Sequence, residues 1–112
     1  MKFLDSLQDD VVVFEVSGKI MGGKGTTLFY GTVREYINRN KKNIVIDLTK
    51  VDWINSIGLG MLISALTTVK NADGRLVLAN ITTVESILTL TRLITVFDHY
   101  DSCDEAIKSF SA

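Results

Sequence analysis

One stretch of the chain constrains its fold more than any other: residues 43–62, which read NIVIDLTKVDWINSIGLGML. It begins with a short apolar run, Ile44 to Leu48, of the kind that forms a strand buried on both faces. Apolar residues then surround most of a predicted helix, Ile57 to Val69, which Gly74 can end in the left-handed conformation. A second buried strand, Arg75 to Ala79, follows. A strand, a helix and a strand in this order predict a parallel crossover unit.

The chain before this unit predicts a hairpin and a first helix. Phe3 to Leu7 and Val11 to Ser17 have the composition of two short strands joined by a polar turn, and the sequence VVVFEV favours an inner strand. A glycine-rich loop, Gly18 to Gly25, follows. Apolar positions at helical spacing then predict a helix over about residues 27–40, and either threonine of residues 26–27 can cap it.

The last third predicts two short helices with a strand between them. Residues 82–85, Thr-Thr-Val-Glu, have the Thr-x-x-Glu form of a capping box before a helix to about Arg92, and residues 102–105 repeat it as Ser-x-x-Glu. Ile94 to Phe97 is predicted as the strand. Strands alternating with helices indicate the α/β class: a single mixed, mostly parallel sheet of four or five strands, with the hairpin as its antiparallel edge and about four helices packed on it.

Composition bounds the functional classes. The 112 residues are 46% hydrophobic and include no proline, so residues 1–112 are expected to form a single domain around one core. Twelve Lys and Arg against 13 Asp and Glu give a net charge of −1, which provides no electrostatic case for binding nucleic acid or an anionic membrane.

The chain also lacks the signals of export and of metal binding. No apolar run approaches the roughly 20 residues that cross a bilayer, and the start, MKFLDSLQDD, lacks the apolar stretch of a signal peptide, so a cytoplasmic location is expected. Cys103 is the one cysteine, which excludes an intramolecular disulfide and a cysteine-based zinc site. No cofactor and no metal are predicted.

The residues around Ser56 carry a family resemblance. Asp47-Leu48-Thr49, then Val51-Asp52-Trp53-Ile54-Asn55-Ser56, then Gly58-Leu59-Gly60 resembles the STAS family, specifically the small bacterial anti-sigma-factor antagonists. The order of strands and helices fits the family over most of the chain. The resemblance implies a STAS-like fold and a binding protein without catalytic residues.

What the resemblance implies about function is a partner switch. The unphosphorylated antagonist binds an anti-sigma factor that is itself a serine kinase, which releases the sigma factor, and phosphorylation of the motif serine ends that binding. Here that serine is Ser56, which a serine phosphatase would reset, and the free protein is expected to be a monomer or weak dimer. The expected partner surface comprises Asn55, Ser56, Ile57, Gly58, Leu59, Gly60, Met61, Met21, Gly22 and Gly23.

Two positions depart from the family pattern. The family usually has Asp immediately before the phosphorylated serine, whereas Asn55 keeps the shape and an acceptor oxygen but carries no charge. Met21 stands where the family often has an acidic residue. The neutral Asn55 motivates an alternative, a STAS scaffold that assembles with other STAS domains, as in a stressosome-like assembly, and is not phosphorylated.

Several residues allow a simpler interpretation as well. Ser56 can serve as the N-cap of the following helix. Gly58 and Gly60 weaken a first helical turn by roughly 1 kcal/mol each, which favours close approach of a partner over close packing on the sheet. Trp53 is interpreted as an anchor at the end of the strand in preference to a residue that recognises a partner. Residues 18–25 match the sequence pattern of a phosphate-binding loop except at the last position, where Gly25 replaces the metal-binding Ser or Thr. A nucleotide-binding protein is therefore a distant alternative.

Overall fold

The computed structural model describes residues 1–111, which form a mixed five-stranded sheet with helices on both faces. The strands are β1 Lys2–Gln8, β2 Val11–Ile20, β3 Asn43–Ile54, β4 Arg75–Ala79 and β5 Asp98–Tyr100. They lie in chain order across the sheet, with β1 antiparallel to β2 and every later pair parallel. The α/β class and the mostly parallel sheet predicted from the alternating pattern are confirmed.

Four α-helices connect or follow the strands within the described residues. They are α1 Lys24–Asn38, α2 Ser56–Asn71, α3 Glu85–Leu90 and α4 Cys103–Lys108, and a short 3-10 helix covers Leu93–Thr95. In this part of the chain, none of the helices is both long enough and apolar enough to pass through a bilayer.

The two faces of the sheet bury different sets of side chains because successive residues of a strand point to opposite sides. On one face, residues such as Phe14 and Ile46 pack against α1, α2 and α3 through Phe29, Leu62 and Leu88. On the other face, the smaller α4 covers a minor cluster that includes Val45, Val77, Ala79, Ala106 and Ile107. Because α4 is only six residues long, part of this second face stays uncovered near β1.

The predicted glycine-rich loop is shorter than expected. The pairing of β2 with β3 continues to Ile20, and α1 begins at Lys24, so only residues 21–23 connect them. Gly22 and Gly23 have φ values of 100° and 97°, which side-chain-bearing residues rarely adopt, and this allows the sharp turn. The N-cap of α1 is Gly23, without a side-chain hydrogen bond, so the prediction of a threonine cap is wrong.

The predicted strand Ile94 to Phe97 is also wrong. Residues 93–95 form the 3-10 helix, and β5 begins one residue after the buried Phe97. Leu93 and Ile94 are partly buried against the main core, so the apolar run reflects packing of a turn rather than a paired strand. Only three residues remain for β5 at the sheet edge.

The two predicted capping boxes have different outcomes. The side chain of Ser102 accepts a hydrogen bond from the Glu105 N–H at 3.1 Å, which confirms the cap of α4. The threonine box at residues 82–85 does not form, because α3 starts only at Glu85 and its N-cap, Val84, makes no side-chain cap.

Candidate functional site

The turn that carries Ser56 lies at the carboxyl end of β3. The sequence suggested that the strand stops near Leu48, but β3 continues to Ile54, which lies opposite Ile20 of β2. Two register shifts in the β2–β3 ladder accommodate this extension. Asn55 then follows the last strand residue directly, and α2 begins at Ser56.

Asn55, rather than Ser56, caps α2. Its backbone is extended, and its Oδ1 atom accepts a hydrogen bond from the Gly58 N–H at 2.9 Å. Ser56 is the first helical residue and its side chain is exposed. Across residues 1–111, no hydrogen bond engages its hydroxyl group, so the interpretation of Ser56 as a cap is wrong and the hydroxyl is left to solvent.

Gly58 is required by packing inside the molecule. A β-carbon at this position would collide with the carbonyl oxygen of Ile20, the same oxygen that accepts a hydrogen bond from the Asn55 N–H at 3.3 Å. The first turn of α2 therefore rests directly on the end of β2. The interpretation that Gly58 leaves space for a partner is wrong, whereas at Gly60 a β-carbon would meet nothing within 4 Å.

Exposed apolar side chains surround this turn. Ile57 is 65% exposed, and Met21 and Trp53 are each 48% exposed. A β-carbon on Gly22 would come within 3.2 Å of Ile57 Cγ2, so the short loop after β2 lies against the first turn of α2. Together, Met21, Ser56 and Ile57 form an exposed region, here called the Ser56 surface, with Trp53 on the strand that leads into it.

The Ser56 surface is smaller than the sequence suggested. Leu59 and Met61 were expected there, but both side chains are buried in the main core, and the Met61 carbonyl oxygen accepts a hydrogen bond from the Tyr30 hydroxyl at 3.2 Å. Among the ten expected residues, the exposed ones are Ser56, Ile57, Met21 and Gly23, the half-buried ones are Asn55, Gly60 and Gly22, and the buried ones are Gly58, Leu59 and Met61.

The electrostatic setting of Ser56 favours a negative charge. The first turn of α2 contains no acidic residue. Within residues 1–111, no protein oxygen accepts a hydrogen bond from the N–H groups of Ser56 and Ile57. The N–H groups of Gly58 and Leu59, in contrast, donate to the side-chain and backbone oxygens of Asn55. Free N–H groups and the helix dipole together give this end of α2 a partial positive charge.

Residues 18–25 do not form a phosphate-binding loop. Gly18 and Lys19 belong to β2, whereas Lys24 and Gly25 belong to α1. A β-carbon on Gly25 would meet the backbone of Met1, so this glycine serves packing of the N-terminus. The loop on which the nucleotide-binding alternative depends is therefore absent from the described residues.

Asp47 of the Asp-Leu-Thr motif has a structural role that the sequence did not reveal. It is 9% exposed, and its Oδ1 accepts hydrogen bonds from the Thr49 N–H at 3.0 Å, the Thr49 hydroxyl at 2.6 Å and the Asn80 side-chain amide at 3.0 Å. These bonds fasten the middle of β3 to the end of β4. A buried carboxylate is tolerated here because several donors satisfy it.

Comparison with known proteins identifies the family of the chain. A family model described as the STAS domain matches residues 5–106. A curated relative from Thermotoga maritima, provisionally assigned as an anti-sigma factor antagonist, is 29% identical over 102 residues, which is 89% of each chain.

Solved structures show the same fold. The crystal structure of a Thermotoga maritima protein with the same provisional assignment has a TM-score of 0.84 and 28% identity, and the match covers 98% of this chain and 95% of that one. The phosphorylated form of the Bacillus cell fate determinant SpoIIAA has a TM-score of 0.75 and 16% identity, covering 96% of this chain and 98% of that one, which is a likeness of fold.

Proposed function

The chain belongs to the STAS domain family, and we propose that it acts as an anti-sigma factor antagonist that binds a serine-kinase anti-sigma factor through the Ser56 surface. Phosphorylation of Ser56 by the bound kinase ends the association, and a serine phosphatase restores it. The observation that carries this proposal is that Asn55, and not Ser56, caps α2. The exposed hydroxyl group of Ser56 is therefore available to a kinase.

The apolar side chains around the turn supply binding energy. Ile57 follows Ser56 directly and Met21 precedes Gly22, which lies against Ile57; both side chains are large and exposed. Trp53 adds an aromatic side chain of the type enriched at binding hot spots. A partner that covers Ile57 would bring its own atoms close to the Ser56 hydroxyl. Affinity and phosphate acceptance are therefore properties of the same small surface.

The phosphate acts locally. It adds about −1.5 to −2 charges beside the free N–H groups of Ser56 and Ile57. These groups can donate hydrogen bonds to the phosphate while the helix stays folded. The turn itself is held by the contacts of Gly58 and Asn55 with Ile20. The new charge instead opposes burial of the apolar Ser56 surface under a partner, because a charged group resists desolvation.

A second candidate is a STAS scaffold that binds other STAS domains and is never phosphorylated. The neutral side chain of Asn55 favours it, since an amide cannot take the proton of the neighbouring hydroxyl as a carboxylate can. Its Oδ1 is also already engaged by the Gly58 N–H.

One experiment separates the two candidates. The protein is incubated with ATP and the anti-sigma factor kinase of the same genome, and any phosphate is located by mass spectrometry. We expect phosphate on Ser56, none on Ser56→Ala, and unchanged labelling of Ser64→Ala, which removes another exposed serine of α2. Kinase binding without phosphate transfer would favour the scaffold, and neither binding nor transfer would contradict the antagonist proposal.

A further inference from the structure

A second exposed apolar region lies at the outer edge of β1, in a groove of about 530 Å³ whose lining residues come from both faces of the sheet. Leu4 of β1 and Leu28 of α1 line it and are 69% and 65% exposed, which is unusual for leucines. Met1 and Phe3, which pack on the main core, line it as well. The volume lies within the range of small-molecule sites, and the lining has their mostly apolar character.

A row of polar residues crosses three strands in the same groove. Lys2 of β1 lies opposite Ser17 of β2, and Ser17 lies opposite Lys50 of β3. Directly opposed residues share one face of a sheet, so two ammonium groups flank one hydroxyl group. Within residues 1–111, the ion pairs are Lys41 with Asp10 and Arg75 with Asp98, so neither lysine of this row has a carboxylate partner.

The charge of the groove suits an anion. Glu15, which lies opposite Leu4, also lines the groove and adds a negative charge. Lys2 and Lys50 outweigh it by one positive charge, and the α-ammonium group of Met1, which also lines the groove, adds to this excess. A cation would be repelled on balance, and the mostly apolar lining favours an anion that carries a long alkyl chain.

We propose that this groove binds a medium-chain fatty acid, with the carboxylate between Lys2 and Lys50 and the alkyl chain running along Leu4 and round the edge of β1 to Leu28. Two ammonium groups and the Ser17 hydroxyl donate hydrogen bonds to the carboxylate. The leucines lose water contact along the alkyl chain. The groove and the Ser56 surface share no residue, so this inference goes beyond the proposed antagonist function and does not depend on it.

The test is a titration with decanoate below its micelle concentration, followed by amide chemical shifts of the protein with a native N-terminus and any purification tag at the C-terminus. We expect shifts at Leu4 and Leu28 that saturate. Decyltrimethylammonium has the same alkyl chain with the opposite charge and should bind about tenfold more weakly or not at all, because it cannot accept the lysine hydrogen bonds.

Variants locate the site. Leu28→Glu places a charge in the apolar part and should abolish saturable binding, whereas Leu7→Glu, at an exposed leucine of β1 outside the groove, should not. Lys50→Gln should weaken decanoate binding about tenfold, with Lys70→Gln of α2 as the matched control.

Circular dichroism of each variant confirms that it is folded. Equal binding of the two amphiphiles, absence of saturable shifts, shifts confined to other regions, or unchanged affinity of folded Lys50→Gln would each overturn the proposal.

Discussion

The carbonyl oxygen of Ile20 occupies the space that a β-carbon on Gly58 would need. This contact joins the end of β2 to the first turn of α2, and the Asn55 N–H bonds to the same oxygen. The position of Ser56 is consequently set by a fixed backbone contact between two elements.

Gly58→Ala should destabilise the protein by about 1–3 kcal/mol, because the added methyl group must displace backbone rather than a flexible side chain. Gly60→Ala, two residues along the same helix where a β-carbon would meet nothing within 4 Å, should stabilise it by about 0.5–1 kcal/mol. Urea denaturation of both variants gives the comparison. Equal effects at the two positions would contradict the assignment of Gly58 to packing.

The cap on Asn55 predicts opposite results for two neighbours. Asn55→Ala should lose about 1 kcal/mol of stability, because the Gly58 N–H loses its acceptor. Ser56→Ala should change stability by less than about 0.5 kcal/mol, since its hydroxyl caps nothing. Chemical denaturation tests both, and a larger loss for Ser56→Ala than for Asn55→Ala would reverse the assignment.

Asn55→Asp restores the aspartate that the family usually has before the phosphorylated serine. Aspartate keeps the acceptor oxygen and is favourable at a helix N-terminus, so stability should rise by about 0.3–1 kcal/mol or stay the same. If the carboxylate helps to orient or deprotonate Ser56, the phosphorylation rate with the cognate kinase should increase. A single-turnover phosphorylation assay measures this, and a lower rate for Asn55→Asp would show that the amide is the better neighbour.

The Ser56 surface predicts losses of kinase affinity without loss of stability. Ser56→Asp and Ile57→Asp each put a charge into the proposed interface and should weaken binding at least about tenfold, while the melting temperature stays nearly unchanged. Leu7→Glu, an exposed apolar residue of β1 that pairs with Val12 near the other end of the sheet, is the control. Isothermal titration calorimetry with the kinase measures the affinities. Wild-type affinity of both Ser56→Asp and Ile57→Asp would refute the interface.

A buried tyrosine predicts sensitivity to alkaline pH. The Tyr36 hydroxyl donates a hydrogen bond to Asp5, and this bond, followed by burial, raises the pKa of Tyr36 above 10.0. Since the folded-state pKa exceeds the unfolded one, the stabilisation is fully present below pH 10 and is lost as the pH rises through the folded value.

Tyr36→Phe should therefore lower stability at neutral pH and flatten its decline in alkali. Tyr30→Phe, which also removes a hydroxyl that donates a hydrogen bond, is the control for loss of a bond alone. Urea denaturation between pH 7 and pH 11 makes the comparison. An equally steep alkaline decline in wild type and Tyr36→Phe would contradict the role of this residue.

Local patterns predicted most of the fold because they report burial directly. The apolar runs at Ile44 to Leu48 and Arg75 to Ala79 correctly predicted two inner strands, and helical spacing located α1 and α2. The same kind of signal failed at residues 94–97, where apolar side chains pack a turn against the core. A pattern of burial does not distinguish these cases when the segment is short.

The sequence alone determined the α/β class, the mostly parallel sheet with a hairpin at its edge and the place of Ser56 at the start of a helix, since these depend on neighbours along the chain. Only the tertiary structure decided that β3 reaches Ile54, that Asn55 holds the cap and that Gly58 serves the contact with Ile20. The physical reason is that these features depend on how β2 and β3 pair and how α2 packs on them. Residues distant in sequence set that geometry, and no local pattern records it.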